Sequence, residues 1–352
     1  MRVVIAGGGT GGHVIPALAI GRELQARYGA ELLFIGTARG LETRMVPEAG
    51  FALKLVQVGA LKNVSVLTRL KTLFDLPRAV LAAGKMLRDF RPDVVIGVGG
   101  YASGPAMIAA LLKDIPTLAF EPNAVPGFAN RAVGRWVSAA AVHFEDTKRY
   151  FRNAQVTGVP VRPEFFHRGE TAESKTLLIT GGSQGARAIN RAICAALPEL
   201  AKVPGLRIIH QTGERDFEET RAAYEKAGVE AKVSAFIQDM AAAFAEAALI
   251  VCRSGASTVA EVAAAGKPAI FIPFPFAADD HQTKNAEALA ASGGAVVLPE
   301  KSLTPQTLAA KVAELMNDPA RLRQMSARAK EQAHRVALEA IAEMVKRLAE
   351  KK

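Results

Sequence analysis

Four runs of glycine and small polar residues hold most of the chemistry this sequence could perform. The first, Gly7-Gly-Gly-Thr-Gly-Gly-His13, matches G-x-G-x-x-G at Gly7, Gly9 and Gly12. Glycines so spaced let a backbone approach a pyrophosphate resting on a helix N-terminus. A dinucleotide fingerprint also requires an acidic residue for the ribose at the end of the second strand. That strand ends Phe34-Ile35-Gly36-Thr37, so the nicotinamide reading lacks its second half. His13 gives the loop another meaning. An imidazole beside a phosphate-accommodating turn is placed to take a proton from an attacking hydroxyl, or else it hydrogen-bonds the turn and no more.

The second run, Gly97-Val-Gly-Gly-Tyr-Ala-Ser-Gly-Pro105, offers backbone N–H groups with little side-chain obstruction. It suits a second anion, or simply close packing of a strand on a helix. The third, Gly181-Gly-Ser-Gln-Gly-Ala186, adds a hydroxyl and an amide suited to phosphate or sugar oxygens. The fourth, Ser254-Gly-Ala-Ser-Thr258, opens a helix in which Thr258 and Glu261 share a face. Helix-terminal N–H groups beside a carboxylate could hold a phosphate and a ribose diol together, unless Glu261 is only a capping carboxylate. No P-loop lysine and no zinc spacing occurs, and Asp279-Asp280-His281 reads as solvated loop. A diphosphate leaving here would therefore depend on N–H groups and helix dipoles, with no metal required.

These turns need elements to position them. Apolar runs at Val3–Ala6, Glu31–Ile35, Leu53–Val56, Val94–Val98, Thr117–Phe120 and Ala139–Val142 alternate with helical stretches after Pro16, Gly40, Ser65 and Gly104. The pattern restarts past Thr157–Pro163, with strands expected at Leu177–Thr180, Leu206–Gln211, Val233–Ala235, Leu249–Val251, Ala269–Ile272 and Ala295–Val297. Such alternation predicts an α/β class protein of two doubly wound, parallel-sheet domains. The expected division is residues 1–162 and 163–334, with a last helix at about 335–352 that could pack back on the first domain. Ligands in such sheets bind beyond the carboxyl ends of the strands.

The chain has 352 residues, 50% of them hydrophobic, and only two cysteines, which fits a globular protein in a reducing compartment. Met1-Arg2 runs straight into an apolar strand, so no signal peptide is expected. The uncharged window Val94–Leu112 carries glycines and a proline and reads as strand, turn and buried helix rather than as a membrane span. Residues 1–165 hold 20 Lys and Arg against 12 Asp and Glu, whereas the remainder is nearly balanced. The first half is thus expected to meet something anionic, either nucleic acid or membrane. Residues 61–91 interleave Lys62, Arg69, Lys71, Arg78, Lys85, Arg88 and Arg91 with apolar side chains, which suits docking on an anionic bilayer or a core helix with a basic outer face. One tryptophan and four tyrosines argue against a nucleic-acid binder.

Taken together, the Gly7–His13 run with Pro16-Ala17, the Gly99–Pro105 run, Glu121-Pro-Asn123, the Gly181–Ala186 run and Cys252–Thr258 resemble the MurG family, the undecaprenyldiphospho-muramoylpentapeptide β-N-acetylglucosaminyltransferases. The resemblance runs nearly end to end. It implies a GT-B fold of two Rossmann-like domains facing a cleft, and inverting transfer of GlcNAc from UDP-GlcNAc to the C4 hydroxyl of MurNAc in lipid I, forming lipid II. By matching motif it implies that Thr10, Gly11, Gly12, Asn123, Arg162, Ser183, Ile237, Ala256, Ser257, Thr258, Glu261 and Gln282 bind the donor. His13 becomes the candidate base, and Gly99, Gly100, Tyr101, Ser103 and Gly104 the candidate contacts of the acceptor diphosphate. Some members carry His-Glu-Gln-Asn where this chain has Phe120-Glu-Pro-Asn123, so no histidine role transfers there. The implied location is the cytoplasmic face of the bacterial inner membrane, held peripherally through residues 61–91. Within the same fold, another UDP-sugar lipid transferase or a UDP-GlcNAc epimerase is the alternative.

Overall fold

The computed structural model describes residues 1–58, 66–167 and 174–351, with side chains except at 66–74 and 167. The basic residues Lys62, Arg69 and Lys71 thus lie outside the described side chains, and Arg78, Lys85, Arg88 and Arg91 within them. Two compact units are present, Met1–Pro160 with Val336–Lys352, and Val161–Arg335.

In the first unit the strands are β1 (Arg2–Ala6), β2 (Glu31–Gly36), β3 (Ala52–Leu55), β4 (Val94–Gly97), β5 (Thr117–Glu121), β6 (Ala139–Val142) and β7 (Ala154–Val156). They form one parallel sheet in the order β3-β2-β1-β4-β5-β6-β7. Every residue of β4 and β5 is buried, as parallel strands covered on both faces require. Val4, Val95 and Ala119 from the sheet pack with Ala106 and Met107 from the helix Ser103–Leu111. The second unit repeats the plan with β8 (Thr176–Thr180), β9 (Arg207–Gln211), β10 (Ala231–Ser234), β11 (Ala247–Cys252), β12 (Ala269–Phe271) and β13 (Ala295–Val297), in the order β10-β9-β8-β11-β12-β13. Its core joins Leu177, Ile179, Leu249 and Val251 to Ile193 and Val312 of the flanking helices.

Strand order reverses between β1 and β4 in one unit and between β8 and β11 in the other. At such a switch point the connections leave on opposite faces of the sheet, and a crevice opens beyond the strand ends. The four glycine-rich runs lie at these two crevices.

Two local departures from the sequence reading have clear causes. The first helix runs Gly11–Tyr28 and begins before Pro16, because Thr10 is extended (φ −119°, ψ 162°) and starts the helix directly after the glycines. Pro16 then sits inside the helix, where it cannot donate to the Gly12 carbonyl. The edge strand β7 was not expected, since Ala-Gln-Val carries no apolar run of its own. The window Val94–Leu112 forms β4, a turn and the helix Ser103–Leu111, and no described helix is long and apolar enough to cross a membrane. The final helix, Ala337–Glu350, packs on Gly11–Tyr28 through an Arg27–Glu339 ion pair of 3.3 Å and through Lys346 over the Tyr28 ring.

Candidate functional site

At the crevice of the first unit the two glycine runs touch. The Gly8 amide donates to the Gly99 carbonyl at 3.3 Å, and a Cβ on Gly100 would collide with the Gly8 backbone. His13, in the first helical turn, lies over this junction. Its Nδ1 is 3.1 Å from the Gly8 carbonyl and 3.4 Å from Thr10 Oγ1. A carbonyl only accepts, so the proton of a neutral ring sits on Nδ1 and Nε2 keeps the lone pair. The Nε2 edge lies against Gly99, where a Cβ would come within 2.9 Å of it. Gly99 has φ +90° and Gly100 φ +81°, so this turn excludes side chains on conformational as well as steric grounds.

Two carboxylates that the sequence reading gave no role anchor these loops. Glu42, 2% exposed, accepts from the Gly9 amide at 2.7 Å and from the Thr37 amide and hydroxyl at 2.8 and 3.0 Å. Burial alone would raise its pKa, but the Gly9 and Thr37 amides outweigh that and hold it below the usual carboxylate range. Glu121, also 2% exposed, accepts from the Asn123 amide and Nδ2, the Gly127 amide and Asn130 Nδ2, all at 3.0–3.1 Å. Its pKa nonetheless lies above the ordinary value because burial dominates. Asn123 is thereby fixed by the carboxylate two residues before it.

The second unit holds a cavity of about 810 Å³ beyond the ends of β8 and β11. One wall is the turn Gly181–Ala186, another the start of the helix Ala256–Ala265, which has no side-chain cap. The first N–H groups of that helix have no partner within it and face an anion naturally. Glu261 lies on the same wall. Burial pushes its carboxyl up to about 7, against the pull of the Arg162 guanidinium. Gln282 Oε1 accepts from the Phe274 amide at 3.0 Å and the Ser254 amide at 3.4 Å, which leaves its Nε2 to meet a ligand.

Of the residues singled out in the sequence, Arg162, Ser183, Ile237, Thr258, Glu261 and Gln282 line this cavity, while Ala256 and Ser257 stand at the helix start beside it. Thr10, Gly11, Gly12, His13, Asn123 and the Gly99–Gly104 run belong to the other unit. Three details bear on the expected contacts. The Ile237 amide donates to Gln211 Oε1 at 2.8 Å, so its carbonyl is the backbone group left for a base. Ser103 is fully buried, so it is out of reach of an acceptor. Gly99 is covered by His13, leaving Gly100, Tyr101 and Gly104 as the accessible part of that run.

The cavity also contains residues the sequence reading missed. Gln211 joins three parts of it, since its Nε2 donates to the Gly182 carbonyl at 2.9 Å and Thr180 Oγ1 at 3.2 Å while its Oε1 holds Ile237. Arg253 pairs with Glu300 at 2.6 Å and donates to the carbonyls of Ile272 and Pro273. Gln211 ends a strand and Arg253 follows one, which is the signal that could have found them. Among the described residues no group of three or more His, Cys, Asp or Glu is arranged to hold a metal ion.

Comparison with known proteins agrees with this architecture. Residues 3–142 match the glycosyltransferase family 28 N-terminal domain and residues 176–341 its C-terminal domain. A protein of Syntrophus aciditrophicus named UDP-N-acetylglucosamine–N-acetylmuramyl-(pentapeptide) pyrophosphoryl-undecaprenol N-acetylglucosamine transferase is 48% identical over 337 residues, covering 94% of this chain and 93% of that one. One of the same name from Anaeromyxobacter sp. (strain Fw109-5) is 46% identical over 334 residues, covering 93% and 88%. The crystal structure of Acinetobacter baumannii MurG superposes with a TM-score of 0.85 at 34% identity, over 98% of this chain and 99% of that chain. With both halves matched in order and relatives this similar along nearly the whole length, the chain belongs to the MurG family of glycosyltransferases, with the GT-B fold.

Proposed function

We infer that this enzyme transfers GlcNAc from UDP-GlcNAc to the C4 hydroxyl of MurNAc in lipid I, forming lipid II with inversion. The observation that carries the donor half is the cavity of the second unit, where a glycine turn, an uncapped helix start and the Glu261 carboxylate converge. Ser183 and the N–H groups of Ala256, Ser257 and Thr258 suit the diphosphate, Glu261 the ribose diol, the Ile237 carbonyl the uracil N3–H, and Gln282 Nε2 the sugar hydroxyls. Arg162, beside Glu261, adds positive charge where the diphosphate carries negative. Assignment of Thr10, Gly11, Gly12 and Asn123 to the donor rests on the family resemblance.

The acceptor half belongs to the paired turns of the first unit. Gly100, Tyr101 and Gly104 offer the acceptor diphosphate a turn with little side-chain bulk, and His13 acts as base. In the reaction His13 Nε2 takes the proton of the C4 hydroxyl as that oxygen bonds to the anomeric carbon. The bond from that carbon to the β-phosphate oxygen breaks, and UDP leaves with the electron pair. One in-line displacement inverts the centre. A second anion-sized turn with a histidine over it favours a transferase with its own acceptor above an epimerase, which needs no second substrate.

The enzyme works at the cytoplasmic face of the plasma membrane, docked through residues 61–91, and does not bind nucleic acid. What supports this is the outer face of the helix Val66–Phe90, on which Arg78, Leu81, Lys85 and Arg88 are exposed while Ala79, Ala83 and Leu87 are buried. The direct test measures UDP release from UDP-GlcNAc with and without a lipid I analogue of shortened chain. Release that requires the acceptor is expected. Release without it, or none while UDP still binds in calorimetry, would transfer the reading to an epimerase or another acceptor.

A further inference from the structure

We propose that Glu42 is a positioning residue for the transfer reaction, its carboxylate orienting the Gly8–Gly9 peptide group and, through it, the tautomer and aim of the His13 imidazole. The inference deepens the proposed reading and rests on it, because His13 must handle the acceptor proton for its aim to matter.

The contacts form a short relay. Glu42 Oε2 accepts the Gly9 N–H at 2.7 Å, and the Gly8 carbonyl of the same peptide group lies 3.1 Å from His13 Nδ1. In a trans peptide the N–H and C=O point in opposite directions, so fixing one aims the other. Negative charge behind the N–H polarises the group and makes the far carbonyl a better acceptor. That favours the Nδ1–H tautomer, stabilises the imidazolium formed once Nε2 has taken a proton, and keeps Nε2 turned to the Gly99 side.

The surroundings are built for this carboxylate. A Cβ on Gly8 or Gly40 would collide with the carboxyl group and one on Gly36 with the methylene beside it, so three backbone segments yield space to one side chain. The other oxygen is held by the Thr37 amide and hydroxyl. A carboxylate at the start of a seven-residue helix would ordinarily face water or cap its own helix, and this one points into the loop instead. The same amides keep it ionised at neutral pH.

The test is Glu42→Gln, which keeps the shape but removes the charge and sets an amide NH2 against either the Gly9 N–H or the Thr37 N–H. Nitrogen-15 spectra of the imidazole should show His13 moving from the Nδ1–H towards the Nε2–H tautomer. Turnover should fall by about tenfold or more, while UDP affinity in calorimetry stays within about twofold because the groups proposed for uracil, ribose and the UDP diphosphate all belong to the other unit. Unchanged imidazole signals, or unchanged turnover, would overturn the proposal. Should Glu42→Gln fail to fold, Thr37→Val removes one donor from the other oxygen and should lower kcat by a smaller factor without raising the donor KM. No change there also counts against it. Full turnover in His13→Ala would instead remove the base reading, a result separable from the imidazole spectra of the Glu42 variant.

Discussion

At the residue scale, Glu261 is the group whose chemistry can be followed by pH. Its carboxyl sits at about 7 in the protein, raised by burial and lowered in part by Arg162. An ionised carboxylate accepts from both hydroxyls of a ribose diol, whereas the protonated form loses an acceptor site and carries a proton of its own. With Glu261 on the ribose diol as proposed, donor binding favours the ionised form, so affinity should rise as pH increases through 7 and fall as pH drops below it. At pH 6 about one molecule in ten is ionised, so the affinity for UDP-GlcNAc should be up to about tenfold weaker than at pH 8. UDP-GlcNAc is the better probe than UDP, because its diphosphate is a diester with no proton to exchange in this range. Calorimetry at the two pH values reads the effect, and Glu261→Gln should flatten it. An equal slope in the variant would place the titration elsewhere. The pairing of Thr258 with Glu261 was legible in the sequence because it depends only on helical spacing. The proximity of Arg162 was not, since it depends on how distant segments fold together, and neither was the hydrogen bond that commits the Ile237 amide to Gln211.

At the element scale, a buried polar network braces the donor cavity from behind. Asn190, on the helix Arg187–Leu200, donates to the Thr212 carbonyl and to Asp216 Oδ2, both at 2.9 Å, and accepts from His210 Nε2 at 3.1 Å. An amide oxygen cannot donate, so His210 carries its proton on Nε2 and accepts from the Tyr224 hydroxyl through Nδ1, at 3.1 Å. Burial lowers the His210 pKa to about 3, which keeps the ring neutral and the network intact. The network fixes the end of β9 against the Gly181–Ala186 turn, where a Cβ on Gly185 would strike the Thr212 carbonyl. Asn190→Leu would strip partners from a buried carboxylate, an imidazole N–H and a carbonyl at once, a loss of about 3 kcal/mol. For a unit of this size that is roughly a 6–12 °C drop in the thermal transition that UDP raises. A shift of under about 2 °C would mean that water or a neighbour replaces the amide. The strands that frame this network could be read from the sequence because buried parallel strands are nearly continuous apolar runs. The network could not, for Asn190, His210 and Asp216 carry no periodicity and meet only after β9 has paired with β8. The start of the first helix was misread for a related reason. Pro16 is a common first-turn residue, but the glycines before Thr10 begin the helix earlier.

At the scale of the whole molecule, the two units carry unequal charge, and the excess of positive charge lies in the first half of the sequence. The described part of the helix Val66–Phe90 has a buried and an exposed face. Ala79, Ala83 and Leu87 recur every fourth residue and bury against the sheet side, while Arg78, Leu81, Lys85 and Arg88 remain in solvent. Arg78 is paired only loosely with Asp75, at 3.6 Å on a side chain 86% exposed, so its charge remains available to an anionic surface. Leu81, 74% exposed, is the apolar residue that would enter the headgroup layer among them. Each basic residue near such a surface contributes about 1 kcal/mol. Reversing Lys71, Arg78 and Lys85 to glutamate both removes attraction and adds repulsion, and should weaken binding to vesicles of anionic lipid by about a hundredfold or more. Turnover of a water-soluble lipid I analogue should be unchanged, because Arg78 and Lys85 lie on the exposed face of their helix and none of the three is among the residues proposed for either substrate. Leu81→Ser should weaken vesicle binding by less and make what remains more sensitive to salt, since the apolar contribution does not screen. Undiminished sedimentation of the triple variant with vesicles would show that this face is only the solvated side of a core helix.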